Sequence, residues 1–219
     1  MTKQQSYTGP RPDVISMIRK VPTRVLDVGC SNGNLGKALK SKYTDILVFG
    51  IDNDDINLSE AEKKIDKTYK INLDNLSFQD IPNDIDLLIC ADVLEHTKEP
   101  LKVLRKLLKN CTNDVEVVIS LPNIQHISAI LTLVNGSWPE RDRGTFDKTH
   151  LRFFTLKSIK KLVYASDLKI VNLSRNFRLF DVPGGYINLF VRKTFKFLPF
   201  FKNFFAYQYV FTAERILKN

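Results

Sequence analysis

Apolar residues in this chain fall into short runs that alternate with stretches spaced for one face of a helix. Arg24 to Val28, Ile46 to Ile51, Thr68 to Ile71, Ile85 to Cys90 and Val115 to Leu121 read as strands. Each is a brief run rich in apolar or β-branched residues, bounded by polar or turn-forming ones. Between them Gly33 to Lys40, Asn57 to Lys64 and Glu99 to Lys109 read as helices, the last with Leu101, Leu104, Leu107 and Leu108 on one face. Ile127 to Val134 predicts a short helix, and Thr155 to Ala165 another with Thr155 as its N-cap. Lys169 to Leu173 and Tyr207 to Ala213 are further candidate strands. Strands alternating with helices predict an α/β architecture, a largely parallel sheet covered by helices on both faces. No internal repeat or low-complexity linker interrupts the pattern, so residues 1–219 read as a single domain.

Composition narrows this picture only modestly. A length of 219 residues allows a full core, and 43% hydrophobic with 26% charged residues is ordinary for a globular domain. Met1 to Ser6 lacks the apolar centre of a signal peptide, and no run of about 18 apolar residues is present to span a bilayer. Cys30, Cys90 and Cys111 are odd in number and widely spaced, as expected of reduced thiols in a cytoplasmic protein. The net charge of +9 points to an anionic partner without naming it.

The most informative chemistry lies in Val25-Leu26-Asp27-Val28-Gly29-Cys30-Ser31-Asn32-Gly33-Asn34-Leu35-Gly36. A strand ends beside an acidic residue and enters a turn whose glycines let backbone approach a ligand closely. The next strand ends in Asp52, where an acidic side chain is placed to bind both hydroxyls of a ribose. Three readings compete. The dinucleotide fingerprint G-x-G-x-x-G fails, because Ser31 and Asn34 stand at its second and third glycines. The G-x-S-x-G nucleophile elbow fits Gly29 to Gly33 with Ser31 as nucleophile, but only one strand precedes it. The third is the D-x-G-x-G-x-G turn of class I S-adenosylmethionine-dependent methyltransferases, which this segment resembles with serine at the middle glycine.

A second segment strengthens that resemblance. Asp86-Leu87-Leu88-Ile89-Cys90-Ala91-Asp92-Val93-Leu94-Glu95-His96 is similar to the fourth-strand signature of the methyltransferases related to ubiquinone-biosynthesis enzymes. The resemblance covers roughly residues 20 to 175. It implies a Rossmann-like fold with a seven-stranded, mostly parallel sheet whose last strand is antiparallel, and S-adenosylmethionine as cofactor. It further implies that Asp27, Gly29, Ser31 and Gly33 lie along the methionine part and that Asp52 and Asn53 hold the ribose. Asn72 and Leu73 then take the adenine, and Ala91 and Asp92 floor the site. Glu95 and His96 read as helix capping and support rather than as catalysts.

Residues 123–154 form a long connection between the fifth strand and the next helix, of the kind that usually serves binding. The run Pro122-Asn123-Ile124-Gln125-His126, then Trp138-Pro139-Glu140-Arg141-Asp142-Arg143-Gly144-Thr145-Phe146-Asp147-Lys148-Thr149-His150-Leu151-Arg152, resembles methyltransferases associated with bacterial surface-polysaccharide and O-antigen biosynthesis. That resemblance implies transfer to a sugar hydroxyl of a sugar nucleotide or surface glycan. Such a reaction needs a base near neutral pKa, for which His150 and His126 are candidates, with Asp147 orienting His150. Trp138, Arg141, Arg143 and Arg152 are the candidate contacts to an anionic acceptor. A self-fastening knot of Arg141, Asp142, Arg143 and Asp147 is the competing reading. Asp142, Asp147 and the histidines could bind a divalent ion but match no recognised ligand spacing, so no metal ligand is assigned and metal dependence stays open.

Two further readings stay open: a quinone-like or other small aromatic acceptor, and a non-catalytic cofactor-binding scaffold. An apolar acceptor pocket with few arginines favours the first of these. The stretch Phe190 to Phe205 mixes aromatic and basic residues, as either the domain's last elements or a peripheral contact with the membrane's inner face. No nucleic-acid-binding module accompanies it, and oligomeric state is not legible in the sequence.

Overall fold

Strongly apolar β1 (Arg24–Val28), β2 (Leu47–Asp52), β4 (Ile85–Ala91) and β5 (Cys111–Pro122) make the centre of the domain. The computed structural model describes residues 9–75, 77–178 and 202–216. β3 (Lys67–Lys70), β6 (Leu168–Phe177) and β7 (Ala206–Arg215) complete one seven-stranded sheet in the order β3-β2-β1-β4-β5-β7-β6. β7 runs antiparallel to both of its neighbours, and the other neighbouring pairs are parallel. The sheet therefore has the strand count and the single reversed strand that the resemblance implied.

Side-chain alternation along each strand divides the core into two layers. Leu26, Val28, Leu88 and Cys90 face the layer covered by α4 (Pro100–Leu107) and α6 (Leu156–Ala165). Val25, Leu87 and Ile89 face the layer covered by α1 (Pro12–Ile15), α2 (Asn34–Lys42) and α3 (Asp55–Ala61). Burial on both faces is why these strands read as near-continuous apolar runs instead of alternating ones. Thr155 caps α6 in a reciprocal box with Ser158, as its sequence position predicted.

β1, β2 and β4 pair in parallel and end together, so the loops after them share one edge of the sheet. The strand order reverses between β1 and β4, which opens a crevice at their carboxyl ends. α5 (Ile127–Val134) and the rest of the 123–154 connection follow β5 at that edge. The three cysteines are buried free thiols. Among the described residues no helix is long and apolar enough to cross a membrane. Most of the Phe190 to Phe205 stretch lies outside the described residues.

Candidate functional site

The turn after β1 is fastened to the tip of β2 by backbone and carboxylate bonds. Gly29 and Cys30 N–H donate to the Ile51 carbonyl at 2.8 and 2.9 Å. Ser31 N–H donates to Asp52 Oδ2 at 2.9 Å, while Asp52 Oδ1 accepts from the Asn53 and Asp54 N–H groups at 2.8 and 3.0 Å. Asp52 is thus held in place by three backbone donors before any ligand arrives. Gly29, Ser31 and Gly33 all have positive φ, at 73°, 46° and 74°. Serine at the middle position occupies left-handed backbone that favours glycine, and such strain is retained where the surroundings fix it. A Cβ on Gly33 would lie 2.9 Å from Ala61 Cα, so this glycine is required by packing against α3.

Two adjoining cavities open above this turn. The larger, about 560 Å³, is lined by Gly29, Ser31, Asp52, Asn53, Asn72 and Leu73 on one side and by Asp92, His96, Asp147 and Thr149 on another. Its volume falls within the roughly 300–1,000 Å³ usual for small-molecule sites. The smaller, about 60 Å³, is lined by Arg11, Asp27, Gly29, Ala91 and Asp92. Nine of the ten residues assigned to the cofactor therefore line one cavity or the other, and Gly33 lines neither. Asn72 also accepts from Asp74 N–H through Oδ1 at 3.0 Å, which shapes the loop it sits on.

Asp27 is 2% exposed. Burial pushes its carboxyl up to about 7; Arg11 opposes that rise and Asp52 adds to it. A buried acid of this kind favours a ligand bearing positive charge, because a cation lowers the cost of ionising it.

Arg11 anchors the smaller cavity. Its guanidinium donates to Asp92 Oδ2 at 2.7 Å, to both Asp13 oxygens at 3.0 Å and to Ser120 Oγ at 3.1 Å. Asp92 also accepts from Ser120 Oγ at 2.7 Å and from Gln208 Nε2 at 2.7 and 2.9 Å. Burial works against the Arg11 charge, yet Asp92 and Asp13 raise its pKa above the ordinary arginine value. Asp92 itself has a φ of 52°, so a strained residue carries the hub of the network. Sequence reasoning missed Arg11, and no local motif marks it.

The opposite wall comes from the long connection. Leu151 and Arg152 N–H both donate to the Glu95 carbonyl, at 2.8 and 3.0 Å, which seats this segment on the short 3₁₀ turn Leu94–His96. Asp147 raises the His150 pKa through its charge and is itself hydrogen-bonded by Thr149. It accepts from Thr149 N–H and Oγ1 at 2.8 and 2.6 Å, and Thr149 in turn contacts His96 Nδ1 through its carbonyl at 3.1 Å and its hydroxyl at 3.0 Å. The imidazole that lines the cavity is His96, and His150 stands behind it with ring centroids 4.8 Å apart. Burial lowers the His150 pKa, and the neighbouring His96 lowers it further. Glu95 is 1% exposed, and burial, with Asp92 and Asp147 nearby, raises its carboxyl well above the usual range.

The remaining predicted residues lie elsewhere. His126 is fully buried as the N-cap of α5; Nδ1 accepts from Ser128 N–H and contacts Ser128 Oγ at 2.7 Å, and Nε2 contacts the Arg178 carbonyl at 2.8 Å. The role this geometry gives it is structural. Arg141, Arg143 and Arg152 are exposed and line neither cavity. Arg152 is spent on the Lys98 and Leu151 carbonyls. Arg141 lies over the Phe146 ring, and Asp142 pairs with Lys148 at 2.8 Å, so the connection is partly self-fastened. Trp138 packs edge-on against Phe146 and Phe153 and is half exposed.

Comparison with known proteins agrees with this geometry. Residues 5–173 match the family described as Methyltransferase domain. The ubiquinone biosynthesis O-methyltransferase of Psychrobacter arcticus is 29% identical over 151 residues, 64% of this chain and 56% of that protein. The mitochondrial enzyme of the same name from Saccharomyces cerevisiae is 29% identical over 167 residues, 73% of this chain and 51% of that protein. The chain thus spans little more than half the length of these relatives. Among solved structures, a SAM-dependent methyltransferase from Archaeoglobus fulgidus superposes with a TM-score of 0.61 at 19% identity, covering 92% of this chain and 89% of its own. The plantazolicin methyltransferase BpumL in complex with SAH gives 0.61 at 16% identity, covering 99% and 86%. At such identities these likenesses show a shared fold.

Proposed function

This chain belongs to the methyltransferase domain family, and on that premise we propose that it is an O-methyltransferase for a hydroxyl on a small, quinone-like aromatic acceptor. Its cofactor is S-adenosylmethionine, which when bound supplies a methyl group already activated on a sulfonium. The residues present fit that molecule. Asp52 offers a pre-positioned carboxylate for ribose hydroxyls, and Asn72 and Leu73 border the place for the base. Asp27 supplies the acid for an ammonium, and Arg11 the cation for a carboxylate, at the smaller cavity.

The observation that carries the acceptor reading is the charge of the larger cavity's lining. Asp52, Asp54, Asp74, Asp92 and Asp147 line it, and among the described residues no lysine or arginine does. A sugar diphosphate entering such a wall meets like charge in a setting of reduced dielectric, which costs affinity. The arginines expected to grip an anionic carrier sit outside, so the sugar-nucleotide reading loses the contacts on which it was built. A neutral hydroxyl-bearing ring suits the part of the wall that the cofactor leaves, with Val93 as apolar surface and His96 as a proton acceptor. The relatives named for ubiquinone biosynthesis support this direction.

The test is methyl transfer from S-adenosylmethionine, followed by mass spectrometry, with dihydroxybenzene acceptors set against UDP-sugars. Methylated dihydroxybenzenes support the reading. Products on the UDP-sugars alone overturn it. Cofactor binding with no product on either class favours a non-catalytic scaffold.

A further inference from the structure

The net charge of +9 is not spread evenly over the molecule. On the layer of α2 and α3, residues 34–45 and 54–70 carry seven basic and six acidic side chains. Lys40, Lys63 and Lys70 there are paired with Asp66, Glu60 and Asp55. On the layer of α4 and α6, residues 98–109 and 157–169 carry nine basic side chains against Glu99 and Asp167. All nine are exposed. Apart from Lys102, which meets Glu99 at 2.7 Å, none of the lysines on this layer forms an ion pair with a described residue. Like charges gathered in this way repel one another, and an anionic partner relieves that cost.

The cations fall into two rows. Both helices start at the carboxyl edge of the sheet and cover the same core layer. Arg105 of α4 donates to the Ala165 carbonyl at the end of α6, at 2.9 and 2.6 Å, which ties the two side by side. On α4 Lys102, Arg105 and Lys106 follow the three- and four-residue spacing of one helix face, with Lys98 and Lys109 beyond its two ends. On α6 Lys157, Lys160, Lys161 and Tyr164 do the same, and Lys169 follows in β6. At 1.5 Å per residue the α4 row is roughly 16 Å long. Packed helix axes stand about 8–10 Å apart, which sets the separation of the rows.

We propose that this face binds the backbone of double-stranded DNA, with one row of cations on each side of the major groove. That groove is about 12 Å wide, so rows at this separation meet phosphates of both flanking strands. Lysine suits the task, because a point charge on a flexible stem follows repeating phosphates without demanding one fixed geometry. Counterions released from the duplex supply the affinity, and such contacts carry no base sequence. Two other occupants fit less well. Protein interfaces are depleted in lysine. Helices that adsorb to a bilayer bury an apolar face in lipid, whereas the apolar faces of α4 and α6 are spent on the core. Tyr164, 75% exposed, is the one large apolar side chain they leave in solvent. The acidic lining of the larger cavity keeps phosphates away from methyl transfer, so DNA is a docking partner here and its binding is independent of which acceptor is methylated.

The experiment is fluorescence anisotropy of a labelled DNA duplex titrated with the full chain over a series of salt concentrations. Micromolar binding near 0.1 M salt is expected, with a slope of log K against log salt of about −4 to −5, the release due to roughly five phosphates. Lys106→Gln combined with Lys160→Gln should lower that slope by about 2 and weaken binding roughly 50-fold near 0.1 M salt. Lys37→Gln combined with Lys63→Gln removes the same charge from the α2–α3 layer and should change affinity less than about twofold, because salt screens charges that far from the duplex. S-adenosylhomocysteine affinity reports folding for each variant. Absence of saturable DNA binding, or equal losses from the two layers, overturns the docking face. So does equal affinity for polyglutamate of matching charge, tighter binding to single strands, or adsorption to phosphatidylglycerol vesicles without binding to DNA.

Discussion

The two sides of the cavity are built in different ways. On the β1–β2 side every contact is short in sequence or runs between adjacent parallel strands. The turn at Gly29 to Gly33 hangs on the Ile51 carbonyl and the Asp52 carboxylate. On the far side the contacts join segments that the sequence keeps apart: Arg11 with Asp92, 81 residues on, Thr149 with His96, and the Glu95 carbonyl with Leu151 and Arg152. The first side is held by local backbone donors on one carbonyl and one carboxylate, and the second by long-range contacts of which the Arg11–Asp92 ion pair is the charged one. Removing one residue from the first should therefore perturb cofactor affinity locally, whereas removing one from the second should destabilise the whole edge.

The sharpest way to break that comparison is Arg11→Met. It leaves Asp92, whose side chain is 10% exposed, facing Glu95 and Asp147 without its cation. Breaking a buried pair from one side typically costs about 3–5 kcal/mol. Urea unfolding should show a loss of that order, and the double variant Arg11→Met, Asp92→Asn should recover much of it. A fully stable single variant would mean that the far side is not held by charge.

Asp52→Ala probes the near side. Three backbone N–H groups lose their acceptor and the ribose hydroxyls lose theirs, and a charge-assisted hydrogen bond is worth about 1.5–3 kcal/mol. Calorimetry should find S-adenosylmethionine bound some 10- to 150-fold more weakly, with a smaller fall in stability than for Arg11→Met. Unchanged affinity in the folded variant would remove Asp52 from the site.

This division also explains what was legible in the sequence. β1, its glycine turn, Asp52 and the run ending at Glu95 and His96 are contiguous motifs whose geometry follows from strand, turn and helix rules. The alternation of buried runs with helical spacings carried the fold equally well, with boundaries displaced by a few residues: β5 begins at Cys111 rather than Val115. Arg11 was invisible because nothing in Gly9-Pro10-Arg11-Pro12 marks a partner near residue 92. His150 drew attention through its spacing from Asp147, whose charge acts on it in the fold, but the reach of Asp147 to His96 by way of Thr149 was not foreseen. Histidine roles of this kind depend on tertiary placement, and local spacing does not encode it.

His126→Ala separates a buried histidine from a catalytic one. The variant gives up the cap of α5 and leaves the Arg178 carbonyl without this contact, for a loss of about 2 kcal/mol between the cap and the buried bond. Thermal unfolding should register that loss, while S-adenosylmethionine affinity and the pH profile of turnover stay as in the wild type. A pH profile that changes shape at position 126 would return His126 to the reaction.

The gentlest probe is pH acting on Asp27. Burial sets this carboxyl at about 7 in the ligand-free chain, so below that value it is mostly protonated and above it mostly ionised. The ammonium of S-adenosylmethionine favours the ionised form. The sign follows: as pH falls below about 7, binding must first remove a proton, and the dissociation constant rises toward tenfold per pH unit, or about 1.4 kcal/mol. Above about 7 this contribution levels off. Asp27→Asn should bind more weakly at pH 8 and lose the dependence, because an amide has no proton to give up. Calorimetry at pH 5.5, 6.5 and 8 on both proteins measures this directly. If the slope is the same in both, the titrating group is another one; if neither protein shows a slope, Asp27 keeps one protonation state throughout and does not receive the ammonium as a charged pair. Arg11 opposes the rise of the Asp27 carboxyl from across the smaller cavity, so Arg11→Lys, which keeps a positive charge there, should shift the midpoint without abolishing the slope.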